Sequence, residues 1–283
     1  MHRSFARTAA ALALALAVPA HADDHGDAAA AEQSANHQAL LAAVANPNRA
    51  ADSARDQYRH PVETLEFFKV APDMAVGEYA PGGGWYSRVL GNYLNADGRL
   101  VGLFFTPDDG VFNEKAREGI RNAAAAYPAQ VEGWTGRPAA QTGGLTLDQI
   151  TEADKGRLDR ILVIRMLHNM MRWNFADSEL KTMRELLKDD GLLGIVQHRA
   201  RPDAPYSYTD GNNGYLREED VIRLVELEGF ELVGKSEINA NPRDTADHVG
   251  GVWQIPPSWQ SKDEAKKAIG ESDRMTLLFR KRP

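Results

Sequence analysis

Two unbroken apolar runs limit what this chain can fold into more than any other feature. They are Ile161 to Ile164, inside "RLDRILVIRML", and Leu192 to Val196, inside "LLGIVQH". A strand with one wet face alternates apolar and polar residues. A run without polar interruption suits a strand covered on both faces, as in a parallel sheet flanked by helices. Between the two lies "DSELKTMRELLKDDG", which reads as a helix with Leu180, Met183, Leu186 and Leu187 on one face and Gly191 stopping it. Strand, helix, strand at this spacing is the unit from which doubly wound α/β sheets are built.

The same alternation runs from Asp52 to the end. "PVETLEFFKV" reads as a helix with Pro61 in its first turn, "DMAVGEY" as a short strand, and "GGWYSRVLGNYL" as a helix. "RLVGLFF" is a second strand, "GVFNEKAREGIRNAAAAY" a helix and "AQVEGWT" a third strand. After the two central strands come a helix in "REEDVIRLVELEGF" and the strands "FELVGKSEI" and "RMTLLFRKR". The expectation is a mainly parallel α/β sheet. Residues 239–273 interrupt it before the last strand; with two tryptophans and three prolines in "NANPRDTADHVGGVWQIPPSWQ", they read as an ordered flap. Residues 23–52, rich in alanine and polar residues, read as a tail or lid helix rather than a domain.

In such sheets ligands bind beyond the carboxyl ends of the strands, near the point where strand order reverses. The first strand-to-helix turn here is "GEYAPGGGWYSRVL", with Gly82, Gly83 and Gly84 directly between strand and helix. Glycines let backbone approach a ligand, and the helix start offers free N–H groups. The N-terminus points elsewhere. Arg3 and Arg7 precede an apolar run from Ala9 to Val18, followed by the small-x-small triplet Ala20-His21-Ala22. These are the parts of a secretory signal peptide, with cleavage expected after Ala22 and a periplasmic or secreted product. The run is too short to span a bilayer, which takes about 20 residues, so no membrane insertion is expected after cleavage. The formal charge of −7 becomes −9 once Arg3 and Arg7 leave with residues 1–22. Without a basic face nucleic acid is not an expected partner, and with no cysteine the chain has no thiol or disulfide chemistry.

Glu78-Tyr79-Ala80-Pro81-Gly82-Gly83-Gly84 resembles the first motif of class I S-adenosylmethionine (SAM)-dependent methyltransferases. "GRLVGLF", "LDRILVIRMLHN", "LLKDDGLLGIVQHRA", "LVELEGFELVGK" and "DRMTLLFRKR" are similar, in order, to that family's later elements, so that the resemblance covers residues 53–283. More narrowly, "RDQYRHP", "PGGGWYS" and "VWQIPPS" resemble a bacterial group of methyltransferases that carry signal peptides. The resemblance implies a seven-stranded Rossmann-like sheet with its last strand antiparallel, S-adenosyl-L-methionine as cofactor and a small-molecule or envelope acceptor. It places the cofactor against Ala80, Pro81, Gly82, Gly83, Gly84 and Tyr86, with Glu78 orienting loop amides or the cofactor's amino group. At the end of the second strand the family carries an acid for the ribose hydroxyls; this chain has Phe104, with Asp108 and Asp109 the nearest carboxylates beyond it.

At the strand exits, His168 reads as a base, as a donor that orients the acceptor, or as a histidine holding a loop. Asn169 can add an amide hydrogen bond, and His198 is either catalytic or structural. Tyr208, Asp210 and Trp253 are candidate acceptor contacts, with ordinary turn chemistry the competing account of "TDGNNG". Arg55, Asp56, Arg59 and His60 either close over the cofactor or form a charged surface helix. With no HExxH and no HxH, no metal is expected. A non-catalytic binding protein that kept the fold is the alternative to the enzyme, favoured by Phe104 and by export. A dinucleotide oxidoreductase is weaker, because "PGGGWYSR" lacks the G-x-G-x-x-G spacing.

Overall fold

The computed structural model describes residues 24–108 and 110–282; the leader read in residues 1–22, and Asp109, lie outside the described residues. The chain divides into two units, residues 1–35 and residues 36–283. In the first, the described residues are helical and exposed from Ala28 to Gln33. The helices in chain order are α1 (Asp24–Val44), α2 (Asp56–Arg59), α3 (Pro61–Phe67), α4 (Trp85–Tyr93), α5 (Glu114–Thr135), α6 (Leu167–Arg172), α7 (Ala176–Leu186), α8 (Tyr206–Thr209), α9 (Glu218–Leu227) and α10 (Glu264–Ile269). The strands are β1 (Ala75–Tyr79), β2 (Arg99–Phe104), β3 (Thr142–Thr146), β4 (Leu158–Ile164), β5 (Leu187–His198), β6 (Phe230–Ser236) and β7 (Arg274–Lys281). None of the described helices is long and apolar enough to cross a membrane.

The seven strands form one sheet in the order β3-β2-β1-β4-β5-β7-β6. β1 pairs in parallel with both β2 and β4, while β7 runs antiparallel between β5 and β6. This is the doubly wound sheet with an antiparallel last strand that the sequence predicts. Successive side chains of a strand leave opposite faces, so each central strand feeds two cores. Val76, Leu100, Leu162 and Val196 pack with Leu65, Val89 and Leu90 from α3 and α4. Tyr79, Leu103, Ile161, Val163 and Ile195 pack with Leu180 and Met183 of α7 and with Val221 and Val225 of α9. A third, smaller cluster joins Ala200, Ala204 and Tyr215 to Ala246, Val252 and Ile255, so residues 239–273 carry apolar anchors of their own.

Two expectations need correction. "AQVEGWT" is not a strand: it is the end of α5, which runs on through Pro128 to a left-handed cap at Gly136 (φ 75°). Ala124, Tyr127 and Val131 are buried and Trp134 packs against the same core, a helical spacing that outweighs the apparent strand. The third strand is "TGGLT" instead, where Gly144 brings the strand against the α5 backbone; a Cβ there would stand 2.1 Å from the carbonyl oxygen of Ala124. That oxygen is the one whose helical N–H partner Pro128 cannot supply. The second correction concerns "KDDG", expected at the end of a helix. α7 stops at Leu186, and residues 188–191 make an irregularity in β5 between the pairs Leu158–Leu187 and Arg160–Leu192.

Candidate functional site

The chain leaves β1 for β2 on one side and later returns to β4 on the other, so the exit of β1 is the switch point of the sheet. Here Ala80 (φ 48°), Gly82 (φ 58°) and Gly84 (φ 73°) are left-handed, and the N–H of Ala80 donates to the Leu103 carbonyl of β2 at 2.7 Å. The three glycines do different work. A Cβ on Gly84 would lie 2.3 Å from the Trp134 ring, so this glycine lets α4 start close to α5. Gly83 has nothing within 4 Å of where its Cβ would be. Its open side is where a ligand can meet bare backbone. The turn closes through the Gly84 N–H on the Pro81 carbonyl at 3.0 Å, and Arg88 donates to the Gly83 carbonyl at 2.9 Å.

Glu78 does not bond the loop amides. Its Oε2 accepts from the Ser87 hydroxyl at 2.6 Å and the Tyr127 hydroxyl at 3.4 Å, and no bond to Oε1 is made among the described residues. Burial pushes this carboxyl up to about 7, against the opposing pull of Ser87. Phe104 sits at the end of β2 with its ring against Tyr127, centroids 5.8 Å apart. Of the two acids beyond β2, Asp108 is the one among the described residues, and its Oδ1 accepts from the Gly110 N–H at 2.7 Å in a local turn. On the other face of β1, the Tyr79 hydroxyl donates to Glu179, whose second oxygen accepts from the Thr106 N–H at 2.9 Å. Burial pushes Glu179 up to about 7 as well.

The segment before β1 wraps the start of α4. Trp85 lies between two guanidiniums, Arg49 at 4.9 Å and Arg59 at 4.5 Å from its ring centre, and Tyr86 is buried with its hydroxyl on the Arg59 carbonyl at 3.4 Å. Arg88 pairs with Asp52. Arg55 and Arg59 are therefore not a free charged surface; both reach Glu271, at 2.6 Å and 3.2 Å. Their partner, together with Arg165 and Arg274, was not singled out from sequence. The signal was the run "RDQYRHP", with two arginines to one carboxylate; in the structure that carboxylate, Asp56, pairs with Arg49 at 2.8 Å.

Beyond β4 and β5 the structure brings His168, His198 and Trp253 together. The His168 ring is 5.6 Å from that of His198 and 6.0 Å from that of Trp253. Burial lowers His168 to about 4 and His198 well below its ordinary value, so both imidazoles are neutral at pH 7. Gln197 Oε1 lies 3.4 Å from His168 Nδ1, and Ser272 Oγ lies 2.5 Å from His198 Nδ1. A neutral ring can accept a hydrogen bond from an acceptor's O–H or N–H. Asn169 is only half-buried on α6, with its amide 3.5 Å from the Met166 sulfur. Tyr208 is held by other groups: it stacks on Tyr215 and donates to the His248 carbonyl at 3.1 Å. Asp210 accepts from the backbone and side chain of Asn212, which is plain turn chemistry. Residues 239–273 are pinned by Asp244, which takes bonds from Tyr215 at 2.9 Å, His248 at 2.9 Å and the Asp273 N–H at 2.8 Å.

No family model and no curated protein matches the chain. Solved structures do match. The [4+2]-cyclase SpnF is similar over 89% of this chain and 95% of its own, with 15% identity and a TM-score of 0.53. The shared fold is Rossmann-like, a doubly wound sheet with helices on both faces. Also similar are a SAM dependent methyltransferase from Aquifex aeolicus (17% identity, 66% of this chain and 88% of that one, TM-score 0.47) and the Burkholderia thailandensis 1,6-didemethyltoxoflavin-N1-methyltransferase. The latter, solved with bound 1,6-didemethyltoxoflavin and S-adenosylhomocysteine, shares 14% identity over 96% of this chain and 94% of its own, with a TM-score of 0.47. At these identities the likeness establishes a shared fold.

Proposed function

We propose that this chain is an exported methyltransferase that takes S-adenosylmethionine as cofactor and a small molecule or envelope component as acceptor. The observation that carries the reading is the glycine loop at the switch point, with Gly83 open and the start of α4 behind it. The neighbours' names, which include SAM-dependent methyltransferases, support it. Bound there, S-adenosylmethionine would supply a methyl group on a positively charged sulfur, ready for in-line transfer. The protein's task is then positioning. Gly82 and Gly83 present backbone to the methionine part. Glu78 Oε1 is an acceptor for an ammonium reaching into the loop. Phe104 offers an apolar edge where the family offers a carboxylate; losing charge-assisted hydrogen bonds of about 1.5–3 kcal/mol makes binding about ten- to a hundredfold weaker. His168 and His198, neutral and adjacent, accept a hydrogen bond from the acceptor's O–H or N–H.

Melting temperature tests the cofactor. S-Adenosylhomocysteine and SAM are expected to raise it and NAD to leave it unchanged; no shift with either sulfur ligand at millimolar concentration overturns the reading. Export has its own test. N-terminal sequencing of the protein recovered from cells is expected to begin at Asp23, and a retained Met1 would contradict it.

A further inference from the structure

Four arginines converge on one glutamate between the glycine-loop helix and the two histidines. Glu271 Oε1 takes Arg55 Nε at 2.6 Å, and its Oε2 takes Arg59 Nε at 3.2 Å and Arg274 Nη1 at 3.1 Å. The side chains of Arg59, Arg274 and Glu271 are 3%, 3% and 4% exposed, so water screens this group little. Arg165 is the fourth. It leaves β4 in a left-handed conformation (φ 58°), with its N–H on the Val196 carbonyl of β5 at 2.6 Å. Its guanidinium makes no hydrogen bond or ion pair among the described residues, and its Nε is buried. Arg55 Nη2 and Arg59 Nη2 are likewise buried without partners. Four positive charges against one negative leave an excess of three.

Such an excess is costly to fold around. Burial lowers Arg165 to about 9 and Arg59 to about 10, and against its own burial Glu271 is drawn down to about 2 by Arg59, Arg274 and the others. Unpaired buried donors and a left-handed arginine mark a place where stability is given up for another purpose. The purpose follows from the unfilled N–H groups: they fit oxygens of an anion.

We propose that this cluster binds an oxyanion, a carboxylate or phosphate, carried by the molecule that the histidines face, so that the acceptor is an acidic small molecule. The inference rests on the methyltransferase reading for the word acceptor, not for the anion. Arg274 is paired directly with His198 across β5 and β7, and directly opposed residues leave the same face of a sheet. Arg165 stands three residues before His168. Both arginines thus belong to the β4–β5–β7 side, away from the loop on β1. The nearest other source of an oxyanion is the cofactor's own carboxylate, because Arg59 also touches Trp85 and Tyr86 at the start of α4.

The test uses the full chain, with inorganic phosphate and succinate as probes at constant ionic strength set by chloride, each with and without saturating S-adenosylhomocysteine. One of the two anions is expected to raise the melting temperature, and to do so equally in both conditions. Arg165→Gln is expected to weaken that anion by at least about tenfold, the loss of one charge-assisted bond. The same substitution is expected to raise the melting temperature in the chloride buffer without phosphate or succinate, which a merely structural arginine would not do. Arg55→Gln, at a side chain 30% exposed, is the second variant: it is expected to weaken the same anion while still unfolding cooperatively, and undiminished anion binding in both variants overturns the proposal. No anion-specific shift overturns the proposal. Competition between the anion and S-adenosylhomocysteine overturns the assignment to the acceptor and gives the cluster to the cofactor tail. If the anion binds and S-adenosylhomocysteine does not, the oxyanion site stands and the methyl-transfer reading falls.

Discussion

Gly83 and Gly84 are adjacent and identical in sequence, yet they answer to different constraints. Gly84 is left-handed at φ 73° with the Trp134 ring 2.3 Å from any added Cβ. Gly84→Ala is expected to cost about 2–4 kcal/mol, from backbone strain and overpacking together, which lowers the melting temperature by roughly 5–10 °C. Gly83→Ala meets nothing and is expected to change stability by less than about 0.5 kcal/mol. Thermal unfolding of both variants checks the pair; equal losses would show that the loop is only a tight turn. The run of glycines was legible in sequence, because its place between strand and helix follows from the flanking patterns. Their division of labour was not, since Trp134 lies fifty residues further on and on a segment read as a strand.

At the level of elements, the pairing of α5 with β3 is the part that local pattern misread. "TGGLT" has one large apolar residue, so it carries almost no strand signal; its Gly144 is there because the α5 backbone passes so close. Gly144→Ala pushes a methyl group toward the Ala124 carbonyl. It is expected to destabilise by about 1–3 kcal/mol, read as a lowered midpoint in urea with an unchanged slope. A substitution without effect would contradict the close helix–strand contact. The central strands were legible for the opposite reason. Their apolar runs are buried on both faces, a condition few other arrangements satisfy.

For the molecule as a whole, two buried glutamates on opposite faces of β1 and the two buried histidines push the pH dependence in opposite directions. Glu78 and Glu179 both titrate near 7 when folded, against an ordinary value of 4.5. Through these two groups the folded chain binds more protons than the unfolded chain between about pH 4.5 and 7, and their contribution to stability falls as pH rises through that window, while His168 and His198, held below their ordinary value, contribute the opposite slope below about pH 6.5. The loss is at most about 3 kcal/mol per group. Glu179→Gln is neutral at every pH, so in a denaturant series from pH 5 to pH 8 its stability relative to the natural chain is expected to rise with pH; a difference that stays constant would mean the carboxylate does not titrate in this window. The doubly wound, mainly parallel class of the sheet could be anticipated because each strand–helix unit is written locally. The arginine cluster could not, because its members stand at 55, 59, 165, 271 and 274 and meet only through the topology.

The central claim is that the loop beginning at Glu78 holds a SAM-type cofactor despite Phe104. Calorimetric titration of the full chain with S-adenosylhomocysteine tests it most directly, beside a Gly83→Leu variant whose side chain fills the open face of the loop. Micromolar binding to the natural chain, lost in a variant that still unfolds cooperatively, is the expected result. No heat at millimolar ligand, or equal binding by both proteins, would contradict it.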